Sequence, residues 1–317
     1  MKSDPAPADR AVTVFAPAKI NLYLHLLGRR ADGYHLLDSL VVFADIGDRV
    51  TAAPADTLSL EVTGPEAAAL AGLGDDNLVL RAARRLAEHH RVAPGAALTL
   101  EKRLPIASGI GGGSSDAAAA LRALAALWRV PLDGEAATAL AAGLGADVPA
   151  CLAGRPVRVG GIGEHLDPVG PLPPLGVVLA NPRRELPTAS VFRARKGEFI
   201  ASGPPPLALS DPAALIAVLV RCRNDLAAPA LSLMPEIAAV LDRLAALPQA
   251  QLARMSGSGA TCFALFADRI TAARAAALLT AGEPGWWIAA GELLSGPLPV
   301  GGLPVGGLPV GGLPVGG

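Results

Sequence analysis

Three cysteines in 317 residues, Cys151, Cys222 and Cys262, are too few, odd in number and too far apart for a disulfide framework. Each sits in apolar sequence, where a small core residue would. Aromatic residues make up only 3% of the chain, and lysines number four (Lys2, Lys19, Lys102 and Lys196) against twenty-three arginines. A net charge of -1, with no basic stripe interleaved with aromatics, excludes a nucleic-acid surface. No run of about eighteen apolar residues is available to span a bilayer, and the opening MKSDPAPADR lacks a secretory leader's apolar core. A cytoplasmic protein with neither nucleic acid nor membrane as partner is expected. The histidines, His25, His35, His89, His90 and His165, are not spaced with Cys or Glu as zinc ligands are, so no protein-held metal is expected. A Gly-x-Ser-x-Gly elbow of a serine hydrolase is also missing.

What the chain has in abundance is apolar residues, 51%, enough for two domains with real cores. Its most informative stretch is Pro105-Ile106-Ala107-Ser108-Gly109-Ile110-Gly111-Gly112-Gly113-Ser114-Ser115-Asp116. Glycines let the backbone enter left-handed conformations and approach a ligand closely, so successive N–H groups can converge on an anion. The stretch follows an alternating strand, Ala97 to Lys102, and precedes a nearly all-apolar helix from Asp116 to Trp128. A helix start adds unpaired N–H groups and about half a positive charge, which favours phosphate at Ser114 and Ser115. A flexible loop whose serines only cap the helix is the alternative. No Gly-Lys-Ser/Thr ending is present, so this is not a P-loop, and the glycine spacing breaks the dinucleotide fingerprint at Ser114.

Along the chain, Val12 to Phe15, Ile20 to Leu27, Leu36 to Phe43 and Arg49 to Val62 read as strands, with a hairpin turn at Asp32-Gly33. Asp76 to Arg91 reads as an amphipathic helix and Gly134 to Ala153 as one or two short helices. Pro168 to Pro174 reads as a linker, which sets expected domains at 1–167 and 168–296. The second half predicts a strand at Val177 to Ala180 and helices near Asp211 to Arg221 and Pro235 to Ala246. A second Gly/Ser loop, Ser256-Gly257-Ser258-Gly259-Ala260, then feeds a strand at Thr261 to Ala267 and a helix at Thr271 to Thr280. This mixed order predicts an α+β class with an antiparallel sheet. The Leu-Pro-Val-Gly-Gly repeats of 297–317 have no polar or aromatic anchors and predict a disordered tail.

Three segments together resemble the GHMP small-molecule kinases: Ala16-Pro17-Ala18-Lys19-Ile20-Asn21-Leu22, the Gly-rich stretch, and Met255-Ser256-Gly257-Ser258-Gly259-Ala260. Asp32-Gly33-Tyr34-His35 and Gly145-Ala146-Asp147-Val148-Pro149 narrow the resemblance to the branch acting on a methylerythritol unit that carries cytidine diphosphate. The resemblance covers most of residues 11 to 268. It implies a two-domain fold, a Gly-rich-loop domain and a ferredoxin-like domain with the active site in the cleft between. It also implies transfer of the ATP γ-phosphoryl group, with Mg²⁺ carried by the nucleotide, to the 2-hydroxyl of that unit in non-mevalonate isoprenoid synthesis. A monomer and a homodimer are both compatible with it.

By this resemblance Pro105 to Ser115 hold ATP, and Asp147 is the carboxylate that accepts the hydroxyl proton, work worth about 10² to 10⁴ in rate. Asp147 also sits where a helix cap with an early proline would. Lys19 shares a strand face with Asn21 and would steady charge on the transferring group; a solvated polar face fits the same alternation. Tyr34 and His35 match the cytosine-recognition pair, with Phe192 as a second stacking ring or an ordinary core residue, and Thr188 as a weaker substrate contact. Ser256, Gly257, Ser258 and Gly259 close the phosphate end or merely form a tight turn. Two rival functions remain at this level. A homoserine- or mevalonate-type kinase would have no use for Tyr34-His35, and a noncatalytic nucleotide-binding regulator on the same fold would have no need of Lys19 and Asp147.

Overall fold

The computed structural model describes residues 11–72, 74–199, 209 and 211–298. The Pro204 to Pro206 stretch, the first ten residues and the tail repeats after Leu298 lie outside the described residues. Apolar alternation near the start of the chain produces two long strands, β1 (Val12–Arg29) and β2 (His35–Ala53), joined through the expected Asp32-Gly33 turn. The two segments read separately on each side of residues 16–19 and 44–48 are thus continuous. Pro17 does not break β1 because it lies at a register shift, where no ladder donor is required. Polar Asp45 and Asp48 hide the pattern of β2. The predicted strand Arg49 to Val62 is in turn interrupted: after Pro54 the chain leaves β2 and forms β3 (Leu58–Thr63), parallel to β4 (Ala96–Glu101).

With β5 (Val157–Gly160) and β6 (His165–Pro168), a hairpin the apolar pattern did not reveal, these strands make a six-stranded sheet ordered β3-β4-β2-β5-β6 with β1 along β2. Four helices accompany it: α1 (Leu78–His90), capped by Asn77, α2 (Gly112–Trp128), α3 (Gly134–Ala142) and α4 (Val148–Ala153). The predicted linker is packed: the Leu172 N–H donates to Ser295 O at 3.0 Å, and Leu172 and Leu175 are buried.

A second, antiparallel sheet follows, ordered β10-β7-β9-β8, from β7 (Gly176–Asn181), β8 (Leu252–Met255), β9 (Cys262–Phe266) and β10 (Trp287–Glu292). Its helices are α5 (Thr188–Ala194), α6 (Pro212–Val220), α7 (Ala227–Leu233), α8 (Glu236–Ala245) and α9 (Arg269–Gly282). Strand alternation then sorts side chains into layers. Val41 and Phe43 of β2 pack with α1 and α2, whereas Leu40 and Val42, with Ile20 and Leu22 of β1, meet Val177, Leu179, Phe263 and Leu265 of the second sheet. Val178, Ala180, Cys262 and Ala264 face the other way, onto Ile237 and Val240 of α8 and Ala275 of α9. The order is helix, sheet, sheet, helix, and all three cysteines are buried and unbridged.

Candidate active site

A cavity of 770 Å³ opens where the Gly-rich segment meets the second sheet's loops. Helix α2 begins at Gly112, four residues before the predicted start at Asp116, because Gly111 turns into the left-handed region (φ +63°) and caps it. Ser114 and Ser115 therefore lie inside the first turn. The N–H groups of Gly112, Gly113 and Ser114 have no intrahelical acceptors, and these residues line the cavity. Pro105, Ile106, Ala107, Ser108, Gly109 and Gly111 line it too, whereas Ile110 is buried in the layer between the sheets. The Ser115 hydroxyl turns away to the Cys151 sulfur at 3.3 Å.

The two glycine loops interlock. A Cβ at Gly109 (φ +74°) would lie 2.6 Å from the carbonyl oxygens of both Ser256 and Gly259, so this approach admits only glycine. Ser256 is sealed in the join: its hydroxyl donates to Gly109 O at 3.1 Å and accepts from the Asn21 N–H at 3.2 Å. Ser256 and Gly259 hold the loops together off the cavity wall, while Gly257 and Ser258 reach the wall. The Ser258 and Thr188 hydroxyls pair at 2.8 Å, so Thr188 also faces the cavity.

Lys19 lies at the cavity floor with its side chain 5% exposed, which rules against a solvated strand face. Its Nζ donates to Asp147 Oδ2 and to Asn21 Oδ1, both at 3.0 Å, and Asn21 Nδ2 donates to Ser39 Oγ at 2.8 Å. Asp147 does occupy the cap position of α4, but its side chain accepts no helix N–H; the carboxylate goes to Lys19 and stays 49% exposed toward the cavity. Residues 128 positions apart in sequence thus form one acid–base pair at a floor open to a ligand.

At the other end stand Tyr34, His35 and Phe192, and His35 packs also on a ring not identified from sequence, Phe199. His35 lies 5.2 Å from Phe192 and 5.9 Å from Phe199 between ring centroids, and Tyr34 is 61% exposed. Burial, then the charges of Arg29 and Arg195, hold the His35 imidazole below its usual range. A neutral ring offers one donor and one acceptor, the requirement for reading a base edge. Phe199 follows a run of charged residues, and no periodicity flagged it.

Beneath the Gly-rich segment lies a second cluster absent from the sequence reading. Lys102 Nζ donates to Asp48 Oδ2 at 2.5 Å and to Asp116 Oδ2 at 2.7 Å, with all three side chains sealed from solvent. Asp48 Oδ1 also accepts the N–H groups of Arg103 and Leu104 at 2.5 and 2.8 Å, which pins the backbone just before Pro105. Burial and the neighbouring Asp48 push the Asp116 carboxyl upward, against the pull of Lys102. A signal for this cluster existed: an aspartate opening an otherwise apolar helix must find a partner.

Among the described residues no group of three or more His, Cys, Asp or Glu side chains could hold a metal ion, and no helix is long and apolar enough to cross a membrane. Sequence models for the GHMP kinases N terminal domain and the GHMP kinases C terminal match residues 77–155 and 208–282. The chain is similar to proteins named 4-diphosphocytidyl-2-C-methyl-D-erythritol kinase. One, from Paramagnetospirillum magneticum, is 53% identical over 89% of this chain and 99% of its own length. Another, from Rhodospirillum rubrum, is 54% identical over 91% and 94%. A crystal structure of 4-(cytidine 5'-diphospho)-2C-methyl-D-erythritol kinase superposes with a TM-score of 0.73 at 38% identity, covering 90% of this chain and all of that one. A homoserine kinase from Cytophaga hutchinsonii shares the fold at 18% identity, with a TM-score of 0.65 over 93% and 98%. With its interlocked glycine loops, its Lys19–Asp147 floor and more than half of its aligned residues shared with such relatives, the chain belongs to the 4-diphosphocytidyl-2-C-methyl-D-erythritol kinase family of GHMP kinases.

Proposed function

We propose that this protein transfers the γ-phosphoryl group of ATP to the 2-hydroxyl of 4-diphosphocytidyl-2-C-methyl-D-erythritol, a step of non-mevalonate isoprenoid precursor synthesis. The observation that carries this reading is the single cavity with three chemically distinct parts: unpaired helix N–H groups, the Lys19–Asp147 pair and the Tyr34–His35–Phe192 aromatics.

The triphosphate lies against Gly111 to Ser114, where left-handed glycine backbone and the start of α2 supply N–H donors without a Cβ in the way. The cytosine stacks between Tyr34 and Phe192, with neutral His35 on its edge, which places the methylerythritol unit over the floor. Asp147 takes the proton of the 2-hydroxyl as its oxygen forms the new bond to γ-phosphorus, and the bond from γ-phosphorus to the bridging oxygen breaks to leave ADP. The Lys19 ammonium, 3.0 Å from Asp147, steadies charge on the transferring group. Mg²⁺ enters with the nucleotide. No cluster of three carboxylate, His or Cys side chains among the described residues could hold it, which suits an ion held mainly by phosphates and water. Both substrates are multiply charged and impermeant, in keeping with a cytoplasmic enzyme.

ADP release with ATP and Mg²⁺ tests this, comparing diphosphocytidyl-methylerythritol, homoserine, mevalonate and no substrate. Turnover with the first alone is expected. Turnover with another would keep the kinase and discard the cytidine site, and ATP binding without turnover would point to a regulator.

A further inference from the structure

An asparagine amide can place either its oxygen or its NH₂ toward a neighbour, and the two ends look alike in shape. For Asn21 the choice decides whether Lys19 meets an acceptor or a donor. Lys19 can only donate, so the Oδ1 contact at 3.0 Å is productive only if the NH₂ points the other way. There it meets Ser39, whose own hydroxyl donates to Tyr23 O at 2.6 Å. A main-chain carbonyl can only accept, so the Ser39 hydrogen is committed and its lone pairs are left for Asn21. From the Tyr23 carbonyl to the Lys19 ammonium the chain of donors and acceptors has one consistent direction.

The backbone supports that direction. The β1–β2 ladder shifts register between Pro17 and Lys19 and again between Asn21 and Tyr23, so residues 19–21 form a short, separately aimed segment. Ser39 is 1% exposed and lies opposite Leu24, within β2 and paired also with Val159 of β5. It is held on two sides by ladders, whereas the last torsion of Asn21 is fixed only by the amide's own bonds to Ser39 and Lys19.

We infer that Ser39 is a positioning residue for phosphoryl transfer: its hydroxyl orients the Asn21 amide and thereby holds the Lys19 ammonium against Asp147. The inference rests on the kinase reading above for its effect on rate, and on the hydrogen-bond chain alone for its structural part.

The test compares wild type, Ser39→Ala, Ser39→Thr, Asn21→Ala and the double variant Asn21→Ala/Ser39→Ala. Ser39→Ala is expected to lower kcat about 10- to 100-fold, the loss typical of a buried polar group whose partner is removed, with the ATP Kd within twofold of wild type. Ser39→Thr, which keeps the hydroxyl, restores most of the rate. In the Asn21→Ala background Ser39→Ala costs nothing further, because Ser39 acts only through that amide. An equal loss in both backgrounds would overturn the inference, as would an unchanged kcat in Ser39→Ala. If wild type does not turn over diphosphocytidyl-methylerythritol, the substrate reading fails, and the Asn21 side-chain amide protons, assigned by NMR against Asn21→Ala, still decide the role of Ser39. Slow exchange in wild type and Ser39→Thr with fast exchange in Ser39→Ala upholds it. Equal exchange in all three sinks it.

Discussion

Lys19 and Lys102, two of only four lysines, sit on opposite sides of the same glycine segment, and each contacts aspartate. Lys102 is enclosed: its side chain is 2% exposed, and Asp48 and Asp116 are equally sealed. Lys19 is equally buried, but its partner Asp147 is half open to the cavity. In the enclosed cluster Lys102 and Asp48 are committed to each other and, through Asp48, to the backbone of Arg103 and Leu104, while Asp116 gives Oδ2 to Lys102 and keeps Oδ1 buried without a partner; the work of the cluster is to fix the segment. In the open cluster Asp147 keeps unfilled hydrogen-bonding capacity on the side where a ligand would lie. The same ion pairing serves structure or chemistry according to whether one partner faces solvent.

The sharpest way to break that contrast is at Asp147. Asp147→Asn preserves shape and should lower kcat by about 10² to 10⁴ while ATP affinity and thermal stability stay near wild type. Full activity in that variant would leave Asp147 a structural partner of Lys19 and not the base. The counterpart is Lys102→Met, which removes the shared donor of two buried carboxyl groups, Asp48 and Asp116, and should destabilise the fold by about 3 to 5 kcal/mol in denaturant titration. Lys19→Met should cost about 1 kcal/mol or less, since Asp147 can be rehydrated; equal losses would erase the distinction. Away from both clusters, Tyr34→Ala should weaken substrate binding by about 1 to 3 kcal/mol in a binding titration and leave the ATP Kd unchanged.

The most gradual effect is a pH slope. Burial raises the Asp116 carboxyl above its ordinary value of 3.8, so the folded protein holds that proton to higher pH than the unfolded chain does. Stability from this group is complete below the unfolded value and is lost as pH rises toward about 8. Asp116→Asn removes the slope, so the variant's stability, measured against wild type at pH 6, 7 and 8, should improve relative to it by about 1 kcal/mol per unit. A difference that stays constant across that range would mean Asp116 is ionised throughout.

The glycine segment and the strand carrying Lys19 were legible because their signals are local. Glycine spacing, a following apolar run and alternation at Ala18 to Leu22 each need only a few neighbours to be read. The β5–β6 hairpin, α5 and α7 were not legible: they are short, and their stability comes from packing partners far away in sequence. The start of α2 was misread by four residues because the apolar pattern begins at Asp116 while the backbone turns helical after Gly111. Phe199 and Ser39 were invisible for a related reason, and of the Lys102 cluster only Asp116, a lone carboxylate in an apolar helix, carried a local signal. A serine or an aspartate in a strand has no distinguishing mark until its partner is known.

By itself the sequence determined the α+β class, the glycine-rich segment that opens a helix and, through its motifs, the kinase family. Which polar residues become chemistry was decided only by the tertiary structure. Lys19 and Asp147 are 128 residues apart, and Lys102 and Asp48 are 54. Side-chain hydrogen bonds act over about 3 Å, so only the packing of α2 against β1 and β2, with α4 set on α2, could determine that the first pair faces the cavity and the second is buried beneath it.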